Sequence, residues 1–197
     1  MHRFKSLLFI CLLSILGSGC TSLSPQQVEL QPQIDTRQRL PGGLQVELDA
    51  KDLRSSPIIG HRISRFEQNA FITLSRDARY TLLSSAQQAL RQMGVYRFGP
   101  ASGQRGELKL TLLLDDLSYK ASQQSTQQQV RLTMKLRLVA QMNGRSLTGE
   151  YRSEQRYQSP LTPSERKNQE LLNVLASDTL SRAFNDPKLF RFINQNF

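Results

Sequence analysis

The stretch ELKLTLLLDDLSYK at 107–120, followed by VRLTMKLRLVAQMNGRSLTGEYRSEQRY at 130–157, decides the fold. Leu108, Leu110, Leu112 and Leu114 alternate with Lys109, Thr111 and Leu113. A half-buried strand needs this period of two, because successive side chains leave opposite faces of the pleat. The alternation slips at Asp115-Asp116 and resumes at Leu117 and Tyr119, so a β-bulge is expected there to absorb one extra residue. In the second run Val130, Leu132, Met134, Leu136, Leu138, Ala140 and Met142 hold the period without a break. Asn143-Gly144 then gives a strong hairpin signal, since both central positions of a type I′ turn take positive φ. A two-residue loop sets Met142 opposite Arg145, Leu136 opposite Tyr151 and Arg137 opposite Glu150. That register puts apolar groups on one face and ions on the other, and a slip of one residue would invert every side chain.

Upstream, residues 44–49 alternate in the same way, and 52–64 read as irregular because Pro57 and Gly60 interrupt them. A short strand is predicted at 70–74. A helix follows, with Ser75 as N-cap, Asp77 in its first turn and Gly94 after its last. Leu82, Leu83, Ala86, Ala89, Leu90 and Met93 form its apolar stripe. Residues 95–98 read as a short strand and 99–106 as a Gly-rich connection. Downstream, Thr162-Pro163-Ser164-Glu165 reads as a capping box before a second amphipathic helix through Leu171, Leu172, Leu175, Ala176, Leu180 and Ala183. Asp186-Pro187 starts a further turn or helix carrying Phe190, Phe192 and Ile193. These elements predict a two-layer α+β domain. Its sheet is expected to be mostly antiparallel, with four or five strands, and covered on one face by two or three helices.

Three spans are expected: a leader at 1–19, a lipidated cysteine and linker at 20–43, and one periplasmic domain at 44–197. Arg3 and Lys5, an apolar run at 7–16, and Gly17-Ser18-Gly19 have the three parts of a signal peptide. The apolar run is too short to span a bilayer, which takes about 20 apolar residues. Cys20 directly after small residues has the arrangement of a bacterial lipobox, although Gly17 stands where Leu, Val or Ile is usual. Two or three acyl chains on Cys20 would anchor the domain stably, at about 0.8 kcal/mol per buried CH₂. Thr21 in place of Asp favours the outer membrane by the usual bacterial sorting rule. The other cysteine, Cys11, lies inside the leader, so no disulfide is expected in the mature chain.

The formal net charge is +10, and loss of Arg3 and Lys5 with the leader leaves +8. Such a field attracts acidic partners. The export signal excludes nucleic acid and leaves the membrane itself, acidic envelope proteins and acidic cell-wall polymers. Arg131, Lys135 and Arg137, with Arg152 and Arg156 opposite, form a basic row on the polar face of the hairpin and are the candidate binding surface. A solvated sheet face of mixed charge is the competing reading, because Glu150 and Glu154 lie in the same row.

No catalytic constellation, cofactor or metal is expected. His61 is the one histidine outside the leader, and it reads as a surface-loop residue. Ser164-Glu165-Arg166-Lys167 matches a Ser-x-x-Lys pattern but lacks the companion Lys-Thr-Gly, and a helix start accounts for it better. Asp115-Asp116, with Glu107, is the remaining candidate for carboxylate chemistry or a weak calcium site, against a bulge or strand-end pair. Three functions stay in play: a non-enzymatic interaction module, a carboxylate-based cell-wall hydrolase or transferase, and an architectural subunit of an envelope complex.

Several segments together resemble the YajG family of bacterial lipoproteins: the leader ending in Cys20, Ser75-Arg76-Asp77 opening a helix that ends at Gly94, Gly99-Pro100, and the closing Phe192-Ile193-Asn194-Gln195-Asn196. The resemblance implies an envelope lipoprotein of the outer membrane, with Cys20 as its functional position and no catalytic residues to carry over.

Overall fold

The computed structural model describes residues 23–64, 69–102, 106–124 and 126–197; the leader and Cys20 lie outside them. Among the described residues eight strands run in the order β1 Gln26–Val28, β2 Gln45–Asp52, β3 Ile58–Ile63, β4 Asn69–Leu74, β5 Arg97–Phe98, β6 Glu107–Gln124, β7 Gln127–Met142 and β8 Arg145–Ser159. Helices α1 Ala78–Gln92, α2 Glu165–Phe184 and α3 Pro187–Asn196 complete the chain.

The expected sheet of four or five mostly antiparallel strands is corrected to a mixed sheet of eight, in which four of the seven strand pairings are parallel. The long strand β6 is the axis. On one edge it pairs antiparallel with β7, and β7 in turn with β8. Its other edge is shared: β2 pairs parallel along 107–114, and β3 takes over, also parallel, at Tyr119 and Lys120. The reason for the correction is that period two marks a strand without giving its direction. Direction here comes from the long excursion between β2 and β6, which carries β3, β4, α1 and β5 and returns the chain to the same end of the sheet.

The β6–β8 block has the expected register. Met142 faces Arg145, Leu136 faces Tyr151 and Arg137 faces Glu150. Asn143 at φ 49° and Gly144 at φ 74° form the turn. The β6–β7 register shifts between Leu114 and Asp116, which leaves Asp115 as the bulged residue.

Three local readings change. Asp77, and not Ser75, caps α1, its side chain accepting from the Arg79 N–H at 2.9 Å. Ser164 caps α2, accepting from the Lys167 N–H at 3.2 Å, which starts that helix two residues later than a Thr162 cap would. Residues read as irregular contain β3. Its pattern was hidden by Gly60, which lies so close to β6 that an added Cβ would overlap the Tyr119 carbonyl.

One core unites Leu108, Leu110, Leu112 and Leu114 of β6, Leu117 and Tyr119 beyond its bulge, and the even-numbered apolar residues of β7 with Val46, Ala50 and the inner stripes of the helices. α1 lies over β2, while α2 and α3 lie over β7 and β8. Within the span read as a linker, Val28, Ile34 and Leu40 are buried in this core. That segment is strapped to α2: Gln169, Asn173 and Ser177 accept from the N–H groups of Glu29, Gln31 and Gln33 at 3.0, 2.7 and 2.9 Å. Two residues of extended chain advance about 6.6 Å and four of helix about 6 Å, so the two ladders stay in step. Buried polar groups join the layers. Tyr119 Oη donates to Asn168 Oδ1 at 2.9 Å, Asn168 Nδ2 to Gln26 Oε1 at 2.9 Å, and Gln26 Nε2 to the Glu165 carbonyl at 2.8 Å.

Candidate functional site

The face of β6–β8 opposite the helices is wet, and the parity of the hairpin alone places its charges there. Arg131, Lys135, Arg137, Arg152 and Arg156 all project from it. The structure divides them into two groups. Arg137 is neutralised: its guanidinium grips Asp115 through two hydrogen bonds of 2.7 and 2.6 Å. This bidentate contact holds the Asp115 carboxyl below its ordinary range. The bulge aims Asp115 at Arg137, because two residues of β6 there oppose one of β7.

The other group shares one acid. Glu154 lies 3.1 Å from Arg156, 3.3 Å from Arg152 and 3.6 Å from Arg131. The hydrogen bond from Arg156 and the fields of its neighbours keep the Glu154 carboxyl below its usual value. Three guanidinium groups around one carboxylate leave a surplus of positive charge, and the register sets exposed Lys135 directly opposite Arg152. A depression of about 460 Å³ lies beside them, lined in part by Asp115, Lys135, Arg137, Glu150 and Arg152. These donors are exposed and fixed on strands, so they are able to form charge-assisted hydrogen bonds to carboxylates or phosphates.

The remaining sequence candidates separate. An acid catalyst built on Asp115 needs a raised carboxyl pKa, and Arg137 lowers it. Glu107 lies at the far end of β6 from Asp115, accepting from the Ser102 N–H and Oγ at 2.6 and 2.8 Å. Among the described residues no cluster of three or more potential metal ligands occurs. His61, expected in a loop, sits on β3 with its ring centroid 4.9 Å from that of Phe71. Ser164 is occupied as a helix cap, while Lys167 reaches Glu170 at 2.7 Å and lies over the Tyr157 ring.

A cleft that the sequence did not announce lies where β2 leaves β6. It has a volume of about 850 Å³ and is lined by the end of β2 and the segment 53–57 after it, the end of β4 and the start of α1. Among the charged residues that line it, Arg54 pairs with Asp52 at 2.6 Å and Arg79 with Asp77 at 2.5 Å, while Asp49, Lys51 and Arg76 line it outside these pairs. Such self-neutralised pairs leave less net charge for an acidic ligand than the hairpin face does. No sequence signal pointed to it, because its sides come from segments separated by about a helix length of chain.

Over residues 32–194 the chain matches a family model described as "Uncharacterized lipoprotein". It is 24% identical over 196 residues to the "Uncharacterized lipoprotein YajG" of Escherichia coli strain K12 and to that of Escherichia coli O6:H1, the match covering 98% of this chain and 98% of each relative. Among solved structures, a crystal structure titled as an uncharacterized protein aligns with a TM-score of 0.44 at 9% identity, covering 81% of this chain and 100% of that one.

Proposed function

Because the chain belongs to the YajG family of lipoproteins, we propose that it is a lipid-tethered, non-enzymatic interaction module that holds an acidic envelope protein or cell-wall polymer on its basic sheet face. The lipid is carried by Cys20, and the domain faces the periplasm from the outer membrane. Supporting this reading are the lipobox-like Gly17-Ser18-Gly19-Cys20 and Thr21 after it. In addition, no helix among the described residues is long and apolar enough to cross a membrane. The observation that carries the binding role is Glu154 shared by Arg131, Arg152 and Arg156 next to Lys135: the residual charge is positive, exposed and rigidly placed.

The strap on α2 suits a tethered module. Tension on the N-terminal segment is passed through Glu29, Gln31 and Gln33 into the longest helix, and the hairpin face stays open.

The test is retention of the envelope-extracted lipoprotein on isolated cell-wall material and on immobilised envelope proteins. Binding through exposed ions weakens as the Debye length falls from about 10 Å at 0.1 M salt to about 3 Å at 1 M. Retention is therefore expected to fall steeply with salt. The triple variant Arg131→Gln, Lys135→Gln, Arg137→Gln is expected to lose most of it with the melting temperature little changed, since exposed ion pairs contribute at most about 1 kcal/mol each. Equal retention of variant and wild type would reject the basic-face reading.

A further inference from the structure

β8 is a sheet edge. It pairs with β7 along its whole length of 15 residues, without a bulge, and with no other strand among those described. In a hairpin closed by a two-residue turn, the pair flanking the turn exchanges both hydrogen bonds and every second pair repeats this. With Met142 facing Arg145, the odd-numbered residues of β8 direct their N–H and C=O groups to β7. The even-numbered residues, from Ser146 to Gln158, direct theirs to the open edge. Such rows template the addition of another strand unless Pro, a bulge or an unfavourable charge pattern intervenes. β8 contains neither Pro nor bulge.

Its charge pattern is self-complementary. The outward even positions read Glu150, Arg152, Glu154, Arg156, alternating in sign. We propose that β8 is a self-association edge that pairs antiparallel with β8 of a second copy of this chain about a two-fold axis at Ser153. In this register Arg152 faces the partner's Glu154, and Glu150 faces the partner's Arg156. The neighbouring symmetric registers fail. An axis at Arg152 sets Arg152 against itself and Glu150 against Glu154; an axis at Glu154 sets Glu154 against itself and Arg152 against Arg156. Directly opposed like charges destabilise a strand pair, whereas opposite charges stabilise it. Hydrogen-bond parity agrees, because the axis at Ser153 joins even positions to even positions, the ones whose backbone groups are open.

The helix layer supplies a second observation. On α2, Lys167, Leu171, Val174 and Asp178 follow helical spacing along one side, and the ends of this stripe reach β8: Lys167 lies 5.3 Å from the Tyr157 ring, and Asp178 accepts from Ser153 Oγ at 2.6 Å. Val174, between them, is 47% exposed. A two-fold axis at Ser153 brings the two α2 helices side by side over one continuous sheet, with Asp178, which accepts from Ser153, nearest the axis in each copy and Val174 about one helical turn from it.

The experiment uses full-length lipoprotein extracted in mild detergent, with two tagged forms co-expressed and co-isolation as the readout. Arg152→Glu alone sets acid against acid at two symmetric places, and Glu154→Arg alone sets base against base. Each variant is expected to lower co-isolation by about tenfold. One tagged form carrying Arg152→Glu and the other Glu154→Arg is expected to restore it, because every mismatched pair becomes an opposite-charge pair. In wild type, the amides of Arg152, Glu154 and Arg156 are expected to exchange slowly at high protein concentration and faster on dilution, a readout that needs no variant. The proposal is overturned if these amides exchange at one rate at all concentrations, if the single variants co-isolate as wild type does, or if the mixed pair stays apart. Its failure is separable from that of the basic-face reading. Arg152→Glu lowers and Glu154→Arg raises the positive charge of the face, so retention on an acidic partner moves in opposite directions while self-association falls in both.

Discussion

Asn168→Leu is expected to destabilise the domain by about 2–5 kcal/mol, which lowers the melting temperature by about 6–15 °C for a chain of this size. Asn168 is fully buried and is the junction between the central strand, α2 and β1. A leucine side chain has the same branched set of four heavy atoms and is bulkier, so no cavity forms. What is lost is the acceptor for Tyr119 Oη and the donor to Gln26 Oε1, and both of these groups lie where water does not reach. A buried polar group left without its partner costs about 1–3 kcal/mol, more than the hydrogen bond itself contributes. Burial also pushes the Tyr119 phenol well above its ordinary pKa, so it stays protonated and cannot escape the penalty by ionising. The same reasoning makes the double variant with Tyr119→Phe less damaging than the sum of the two single changes, since the orphaned hydroxyl disappears with its partner. Thermal unfolding of the four proteins gives the coupling. Additive losses would mean that the Tyr119–Asn168 bond does not hold the layers together.

Gly60→Val is expected to cost about 3 kcal/mol or more, by forcing β3 away from β6. The Tyr119 carbonyl carbon lies 2.8 Å from where a Cβ at position 60 would stand, and the carbonyl oxygen is closer still. This obstruction is main chain of the central strand, which cannot rotate aside as a flexible side chain would. The cost falls on the Gly60–Tyr119 and His61–Lys120 pairings that join β3, β4 and β1 to the rest of the sheet. Amide exchange should therefore accelerate in β3 and β4 before it does in the β7–β8 hairpin. Uniform acceleration, or a variant as stable as wild type, would show that the close approach at Gly60 is not required.

These two sites also mark the limit of what the sequence made legible. The hairpin was readable to the residue, because Asn143-Gly144 fixes the turn and alternation carries the register outward from it. The bulge at Asp115 was readable because Leu117 and Tyr119 keep alternation only if one residue is skipped. Parity placed Arg131, Lys135, Arg137, Arg152 and Arg156 on one face. It could not foretell that Arg137 would be taken by Asp115, or that Glu154 would be shared by three arginines, since those contacts depend on side chains reaching diagonally across strands, as Arg137 and Arg131 do, or along one face of β8, as Arg152 and Arg156 do. β3 was missed because Gly60 and Pro57 read as chain breakers, whereas Gly60 is there to let two strands meet closely. Strand direction was missed because apolar alternation is identical in parallel and antiparallel pairs. The strap of residues 29–33 on α2 was hidden for another reason: a Gln-rich segment reads as linker until polar residues at every fourth helical position are seen to accept its backbone.

The functional account rests on covalent lipid at Cys20, and the most direct measurement is the intact mass of the N-terminal peptide of protein isolated from its own membranes. The expected result is a peptide that begins at Cys20 and carries the mass of a diacylglycerol thioether and an acylated amine. A peptide that still begins at Met1, or one that starts at Cys20 with an unmodified thiol, would contradict the account.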